Sequence, residues 1–406
     1  MNSDSFMKQV LCERKEKRQW DILAAVFRNP GIPRSELAAR LGISKNSITA
    51  LVNHLIGEGI LCESETAASS RKGAGRRFIG LYFRKDLFYT LGAALTLTDP
   101  SIVLLDANRN VLEKTPLRNE GSRNPLRFLE EIRQKTSYLV HQAGNVPILG
   151  IGVTLSGILD YEAGRVISSQ AFPLDKELDL RKFFRENFAL NSFFINISHS
   201  APVMERLFGG AAEIENFITI SEGLGIGLFL NGKLYRGWQS YAGELGFMKI
   251  TDSTPPGLDG RCGILNDLAL FKIVGEKIIR IMKNGGQVRI ERTWSKDEYI
   301  PPLQVVKAVE EGNLFVAKLL AEIFGYIGDA VVNVAYLLNP QVIFLPWWTA
   351  RVPQFTLDVV RMKMGSYGLS NWQMKTEILP SQCKGERYAE TAGYCFLEEY
   401  FQKKLK

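Results

Sequence analysis

Arg34-Ser35-Glu36-Leu37-Ala38-Ala39-Arg40-Leu41-Gly42-Ile43-Ser44-Lys45, continuing as Asn46-Ser47-Ile48-Thr49-Ala50-Leu51-Val52-Asn53-His54-Leu55-Ile56-Gly57, decides the fold of the N-terminal part of this 406-residue chain. A helix from Ser35 ends at Gly42, where a residue without Cβ suits a left-handed C-terminal turn. Ser44 is a good N-cap for the next helix. Ile48, Leu51, Val52, Leu55 and Ile56 give that helix one apolar face and leave Lys45, Asn46, Ser47, Thr49, Ala50 and Asn53 elsewhere.

Working outward, Trp20 to Phe27 carries apolar residues at helical spacing and is stopped by Asn29-Pro30-Gly31. Gly57-Glu58-Gly59 ends the third helix. Ile60-Leu61-Cys62 reads as a strand, a polar stretch runs to Arg77, and Phe78-Ile79-Gly80-Leu81 reads as a second strand. The order is helix, turn, helix, wing. A recognition helix needs short polar or basic side chains at its N-terminal end and an apolar back face, and Ser44 to Asn53 meets both needs. The stretch Ser69-Ser70-Arg71-Lys72-Gly73-Ala74-Gly75-Arg76-Arg77 adds four cations among small residues, which suits phosphates or a minor groove. The expected DNA-contacting set is Ser44, Lys45, Asn46, Ser47, Thr49, Asn53, Arg71, Lys72, Arg76 and Arg77.

Charge placement agrees. Residues 1–85 hold 15 Lys and Arg against 8 Asp and Glu; the totals of 50 and 43 then leave 35 of each sign for the rest. The whole excess of +7 lies in the first fifth of the chain, where it attracts a polyanion.

Residues 86–406 alternate glycine-punctuated apolar runs with helical ones. Strands are expected at 148–155, 193–197, 217–220, 226–230 and 342–345. Helices are expected at 124–142, 202–215, 268–282, 303–338 in two pieces, and 386–404. The class is α/β. The apolar stretch from Ala330 to Trp348 is broken by Asn333, Asn339, Pro340 and Gln341, so no membrane span is expected. The first residues lack a signal-peptide pattern, and a cytoplasmic protein is expected. Cys12, Cys62, Cys262, Cys383 and Cys395 contain no Cys-x-x-Cys pair, and reduced, buried cysteines are the expectation.

Residues 34–45, followed by Leu55-Ile56-Gly57-Glu58-Gly59-Ile60-Leu61 and Gly75-Arg76-Arg77, resemble the winged N-terminal domain of repressors in the ROK family (repressor, open reading frame, kinase). The remainder resembles the ROK domain, a two-lobed actin-like fold shared with sugar kinases. The supporting stretches are residues 150–160, Gly223-Leu224-Gly225-Ile226-Gly227 to Gly237, Ala242-Gly243-Glu244-Leu245-Gly246, and Leu338-Asn339-Pro340-Gln341-Val342-Ile343. The resemblance implies a winged helix-turn-helix over 1–85 and a ROK domain over 86–406. Within the latter, lobe one takes about 86–200 with helix 386–406, and lobe two about 201–385.

Departures from the kinase pattern carry the functional expectation. Where kinases of the family have Asp-x-Gly-Gly-Thr, this chain reads Leu91-Gly92-Ala93-Ala94-Leu95-Thr96-Leu97. Where they carry the catalytic Asp of Asn-Asp-Ala-Asn, it reads Asn196-Ile197-Ser198-His199, and isoleucine cannot accept a proton. His199 is read as a hydrogen-bonded structural residue rather than a substitute base, and His54 and His141 have no companion ligands. The family's zinc ligands are replaced by Phe247 and by Gly260-Arg261-Cys262-Gly263-Ile264-Leu265-Asn266-Asp267, which keeps one cysteine of the four ligands a structural zinc needs.

Of the family's sugar contacts, Asn196 and Glu244 remain, while Ile197, Phe247 and Ala269 stand at the others. Unpartnered hydroxyls cost about 1 to 3 kcal/mol each, so free hexoses are expected to bind poorly. Either a less polar effector, meeting Asn196 and Glu244, is expected, or no effector binds. Pro346-Trp347-Trp348 replaces the small Gly-Gly that follows the Asn-Pro strand in kinases and argues against ATP.

The expected protein is therefore a DNA-binding transcription regulator, chiefly a repressor, with a catalytically inactive ROK domain and neither cofactor nor metal. Its expected partners are a double-stranded operator, a second copy (a homodimer or dimer of dimers) and a carbohydrate-related small molecule. The alternatives are an ATP-dependent sugar kinase with a DNA-binding appendage, or a ligand-independent dimerisation and interaction scaffold.

Overall fold

The computed structural model describes residues 17–65, 79–97, 99–118, 125–169, 174, 177–252, 261–284, 290, 300–366 and 375–405. The chain forms two compact units: Met1–Asn196 with Gly385–Lys406, and Ile197–Lys384.

The first unit opens with three helices, α1 (Lys17–Arg28), α2 (Arg34–Leu41) and α3 (Lys45–Gly57), and an antiparallel pair, β1 (Leu61–Glu65) and β2 (Ile79–Phe83). Gly42 takes φ 64°, and Ser44 Oγ accepts from the Ser47 amide at 3.2 Å, so both turn signals act as expected. Ile32 bridges Leu81, adding a minimal third strand to the wing.

A five-stranded sheet follows in the order β10-β6-β3-β4-β5. Its strands are β3 (Tyr89–Leu95), β4 (Ser101–Asp106), β5 (Val111–Pro116), β6 (Ile148–Leu155) and β10 (Ser192–Asn196). Helix α4 (Pro125–Gln142) connects β5 to β6; the small strands β7 (Gly157–Asp160), β8 (Arg165–Ser169) and β9 (Leu178–Asp179) lead to α5 (Leu180–Phe188). The C-terminal helix α12 (Tyr388–Leu405) lies on this sheet. Gly92 and Gly152 are register partners on β3 and β6, and a Cβ on either would collide with the backbone carbonyl of Ala389 or Ala392. The glycine in the strand Leu91-Gly92-Ala93-Ala94 is thus needed for helix docking.

One hydrophobic cluster joins the winged helix to this lobe. Trp20, Phe27, Val52 and Phe83 share it with Phe88, Leu149, Phe396 and Phe401. The described part of the winged helix, from Trp20 to Phe83, therefore shares a core with the lobe that follows it.

In the second unit, α6 (Ile197–Phe208) precedes a sheet of order β13-β12-β11-β14-β15. Its strands are β11 (Phe217–Ile220), β12 (Ile226–Leu230), β13 (Lys233–Tyr235), β14 (Val342–Leu345) and β15 (Glu377–Pro380). The other helices are α7 (Leu265–Ala269), α8 (Phe271–Lys283), α9 (Pro302–Glu310), α10 (Leu314–Leu338) and α11 (Pro353–Ser366).

Several boundaries differ from the sequence reading. Helix α6 begins at Ile197 and carries Pro202 inside it, whereas a start at Pro202 and an end at Glu215 were expected. Pro202 has no amide to donate back along the helix, and the helix tolerates it at the point where Gly227 packs closely against Pro202 and the Ser198 carbonyl. The expected helix 268–282 is split at Leu270, which adopts extended backbone between α7 and α8. Cys383 and Cys395 are buried, but Cys62 and Cys262 are only half-buried.

Candidate functional site

Helix α3 buries Ile48, Val52 and Leu55 almost completely and half-buries Leu51 and Ile56. Lys45, Asn46, Thr49, Ala50 and Asn53 are exposed on the opposite side. The structure thus brings the described members of the expected DNA-contacting set to one helix surface but gives them different availability. Ser44 caps the helix and donates to Ser47 Oγ at 2.9 Å. Thr49 Oγ1 donates to the Lys45 carbonyl at 2.7 Å. Asn53 Oδ1 accepts from Arg34 Nη1 at 2.9 Å, while Arg34 Nε also binds Glu63 at 2.6 Å. Asn53 is therefore held by a strut running from α2 to β1. Lys45 and Asn46 are the exposed long side chains at the helix start.

The expected DNA-contacting set left out Ala50 and Arg34. Ala50 is exposed in the middle of the outward face, and its methyl suits contact with a thymine methyl. Its i+4 spacing from Asn46 was the available signal. Arg34 gave no such signal, because its partners lie 19 and 29 residues away. Arg71, Lys72, Arg76 and Arg77 lie outside the described residues.

In the ROK part, the two expected ligand residues belong to different compact units. Asn196 ends β10, and its Nδ2 donates to the Gly157 carbonyl at 2.7 Å. Ile197 starts α6 and is half-buried. Glu244 stands just before a short 3-10 turn, Leu245–Phe247. It is exposed, and partial desolvation of its carboxyl raises the pKa from the ordinary carboxylate value.

His199 is buried, 3% exposed. The carbonyl of Ala242 can only accept, so His199 Nε2 donates to it at 2.8 Å and the ring is the Nε2–H tautomer. Nδ1 is then a buried acceptor with no donor among the described residues. Burial lowers the pKa of this imidazole and keeps it neutral.

The turn containing Gly223-Leu224-Gly225-Ile226-Gly227 joins β11 to β12. The Ser221 amide donates to the Gly225 carbonyl at 2.9 Å, and Leu224 takes φ 58°. A Cβ on Gly225 would strike Ser198, and one on Gly227 would strike Pro202 and the Ser198 carbonyl. Close approach of α6 accounts for both glycines without a phosphate.

Trp348 is 3% exposed and meets Phe271 and Phe324 edge-on at ring-centroid distances of 5.1 and 5.8 Å. The apolar pocket beside these rings, also lined by Leu224, Ala269 and Pro346, has an internal volume of about 20 Å³, room for a water-sized guest only. Ala269 lines this pocket at 2% exposure, whereas Phe247 is 54% exposed and is not part of its wall. The expectation that Phe247 and Ala269 line one effector cleft places together two residues that the structure sets in different surroundings.

Among the described residues no three His, Cys, Asp or Glu side chains converge as a metal site, and no helix is long and apolar enough to cross a membrane.

Comparison with known proteins gives the family. The ROK family signature matches residues 91–387, and a winged helix-turn-helix DNA-binding signature matches residues 15–61. The chain is 26% identical over 331 residues to the xylose repressor of Caldicellulosiruptor bescii, covering 80% of this chain and 81% of that protein. It is 21% identical over 369 residues to the DNA-binding transcriptional dual regulator NagC of Escherichia coli, covering 86% and 85%. In fold it is similar to a ROK transcriptional regulator described as a homolog of the E. coli MLC protein, with a TM-score of 0.74 and 20% identity over 96% of this chain and 98% of that one. It is also similar to the ROK hexokinase of Thermus thermophilus, with a TM-score of 0.60 and 20% identity over 77% and 99%. The chain belongs to the ROK family and joins to its ROK domain an N-terminal winged helix-turn-helix of the DNA-binding class.

Proposed function

We propose that this DNA-binding transcriptional regulator acts as a homodimeric repressor released by a sugar-derived effector, and that its ROK domain performs no phosphoryl transfer. The observation that carries the proposal is the outward face of α3. Lys45 and Asn46 stand at a helix start capped by Ser44, over a back face in which Ile48, Val52 and Leu55 are buried. An α-helix with that polarity fits the major groove. Asn46 is suited to bidentate pairing with adenine, and Lys45 to a phosphate or a guanine edge. Arg71, Lys72, Arg76 and Arg77 of the wing supply backbone or minor-groove contacts. Two copies would place their recognition helices about 34 Å apart on a paired operator.

Relatives named for xylose and N-acetylglucosamine support a carbohydrate effector. Glu244 is its hydrogen-bonding anchor. The kinase reading is disfavoured by Ile197 at the position of the base and by Trp348 filling the core where the family's kinases carry glycine. The test is selection of bound DNA from a random pool by the full chain, followed by gel shift with and without a panel of monosaccharides and their glycosides. A recovered inverted repeat that the protein releases on adding one of these compounds is expected. No enriched DNA sequence refutes the regulator reading, and an operator indifferent to every saccharide refutes the effector.

A further inference from the structure

Beyond α3, the most exposed large aromatic side chain among the described residues is Trp238, at 95%. It sits in the loop 236–243, which leaves β13 and leads directly to Glu244. Tyr235, Tyr241 and Phe247 are exposed at 52%, 46% and 54% on either side of it in the chain. The loop is closed: the Ala242 amide donates to the Arg236 carbonyl at 3.0 Å. Gly237, Ser240 and Gly243 take φ of 76°, 61° and 94°. It is also pinned to the unit beneath. The Ile226 amide donates to the Gly243 carbonyl at 2.7 Å, and buried His199 donates to the Ala242 carbonyl.

An indole offered to solvent on a tied loop invites an occupant, because covering an aromatic side chain removes roughly 150–250 Å² from water. The composition of the loop indicates which occupant. Planar rings alternate with Arg236, Gln239 and Ser240, and the exposed carboxylate of Glu244 follows at once. A protein-docking surface is also rich in Tyr, Trp and Arg, but it has a contiguous apolar centre with other charges kept to its rim, whereas Arg236, Gln239 and Ser240 part the rings here. Flat rings interleaved with hydrogen-bonding side chains match a sugar instead, whose axial C–H face stacks on an indole while its hydroxyls seek polar partners.

We propose that Trp238 is a stacking shelf for the second ring of the effector, which is accordingly a glycoside, such as a β-linked disaccharide, rather than a free monosaccharide. The first ring binds a hydroxyl to Glu244; the second lies on Trp238. His199 is a positioning residue that holds the loop through Ala242. This inference rests on the carbohydrate-responsive reading above.

Calorimetric titration of the full chain with two probe pairs, xylose against xylobiose and N-acetylglucosamine against chitobiose, tests it, with tryptophan emission followed in parallel. In one pair the disaccharide is expected to bind at least tenfold tighter and to shift the emission to the blue. W238A should bring its affinity down to that of the monosaccharide, while W238F, which keeps a ring, should retain most of the gain. Because the side chain is 95% exposed, an unchanged melting temperature will show that W238A is folded. Equal affinity for both members of each pair with no effect of W238A, or a change in oligomeric state as its sole effect, overturns the inference and leaves the carbohydrate reading standing if a monosaccharide still releases DNA. Failure of all four sugars to bind overturns the inference, and the carbohydrate reading falls with it if no saccharide of the panel releases the operator.

Discussion

The ring of Phe27, near the end of the first helix, stacks on the ring of Tyr394 in the last, with centroids 5.1 Å apart and planes inclined by 20°. The Arg109 guanidinium, from the turn between β4 and β5, lies 5.8 and 5.3 Å from the two centroids. Phe401 also stacks on Phe27, at 5.0 Å, and Arg28 Nε binds Glu398 at 3.0 Å. The winged helix-turn-helix is thus cemented to the C-terminal helix by aromatic contact. Burial lowers the pKa of Arg109, but a guanidinium stays protonated in proteins, so its charge is available to hold both rings.

Phe27→Ala should destabilise the first unit by about 3 to 5 kcal/mol, since Phe27 is fully buried and the space left cannot collapse against a sheet-bound helix. Arg28→Ala should cost well under about 1 kcal/mol, because its ion pair with Glu398 is partly exposed. Urea unfolding of the two variants measures the difference. Equal destabilisation would place the strength of the junction in the ion pair.

Replacing Arg76 and Arg77 by Ala should weaken binding to every DNA sequence alike. The slope of log affinity against log salt should become shallower by about 0.9 for each phosphate that is no longer neutralised. Asn46→Ala should instead change the preferred base at one operator position, with a cost of about 1 to 3 kcal/mol for the original site. Gel shifts at several salt concentrations, on matched and substituted operators, separate the two behaviours. An unchanged base preference in the Asn46 variant would remove that residue from the readout.

Because the folded-state pKa of His199 is lowered by burial, the unfolded chain takes up a proton near pH 6.5 that the folded chain does not. The contribution of a neutral His199 is complete above that pH and is lost as the pH falls toward the depressed value. The slope is at most about 1.4 kcal/mol per pH unit. Chemical denaturation from about pH 7.5 to about pH 5 should show the loss, and His199→Gln should flatten it. A wild-type stability that does not fall across this interval would contradict the buried neutral tautomer.

Incubation with ATP, magnesium and a sugar panel should give no sugar phosphate, because loss of a positioned base alone costs about 10²- to 10⁴-fold. The informative control is Ile197→Asp. If turnover were detected in the native chain and abolished by His199→Gln, His199 would be the base and its structural assignment would fail.

Local patterns were readable from the residues alone wherever the determining contacts lie within a few positions. Gly42, Ser44 and the apolar spacing from Ile48 to Ile56 fix the helix-turn-helix through backbone conformation and periodicity, and the largely apolar runs 148–155, 217–220, 226–230 and 342–345 form strands with those bounds. The lone Pro202 misled, because a proline inside a helix reads as a boundary unless the strand packed against it, here at Gly227, is known.

Contacts distant in sequence were decided only by the tertiary structure. Gly92 and Gly152 make way for Ala389 and Ala392 from the far end of the chain, Arg34 ties Asn53 to Glu63, and Phe27 finds Tyr394 across almost the whole sequence. The same holds for exposure. Nothing in the composition of loop 236–243 distinguishes Trp238, left in solvent, from Trp348, enclosed by Phe271 and Phe324. Burial is a property of what surrounds a side chain, and those surroundings arrive from elements that no local pattern names.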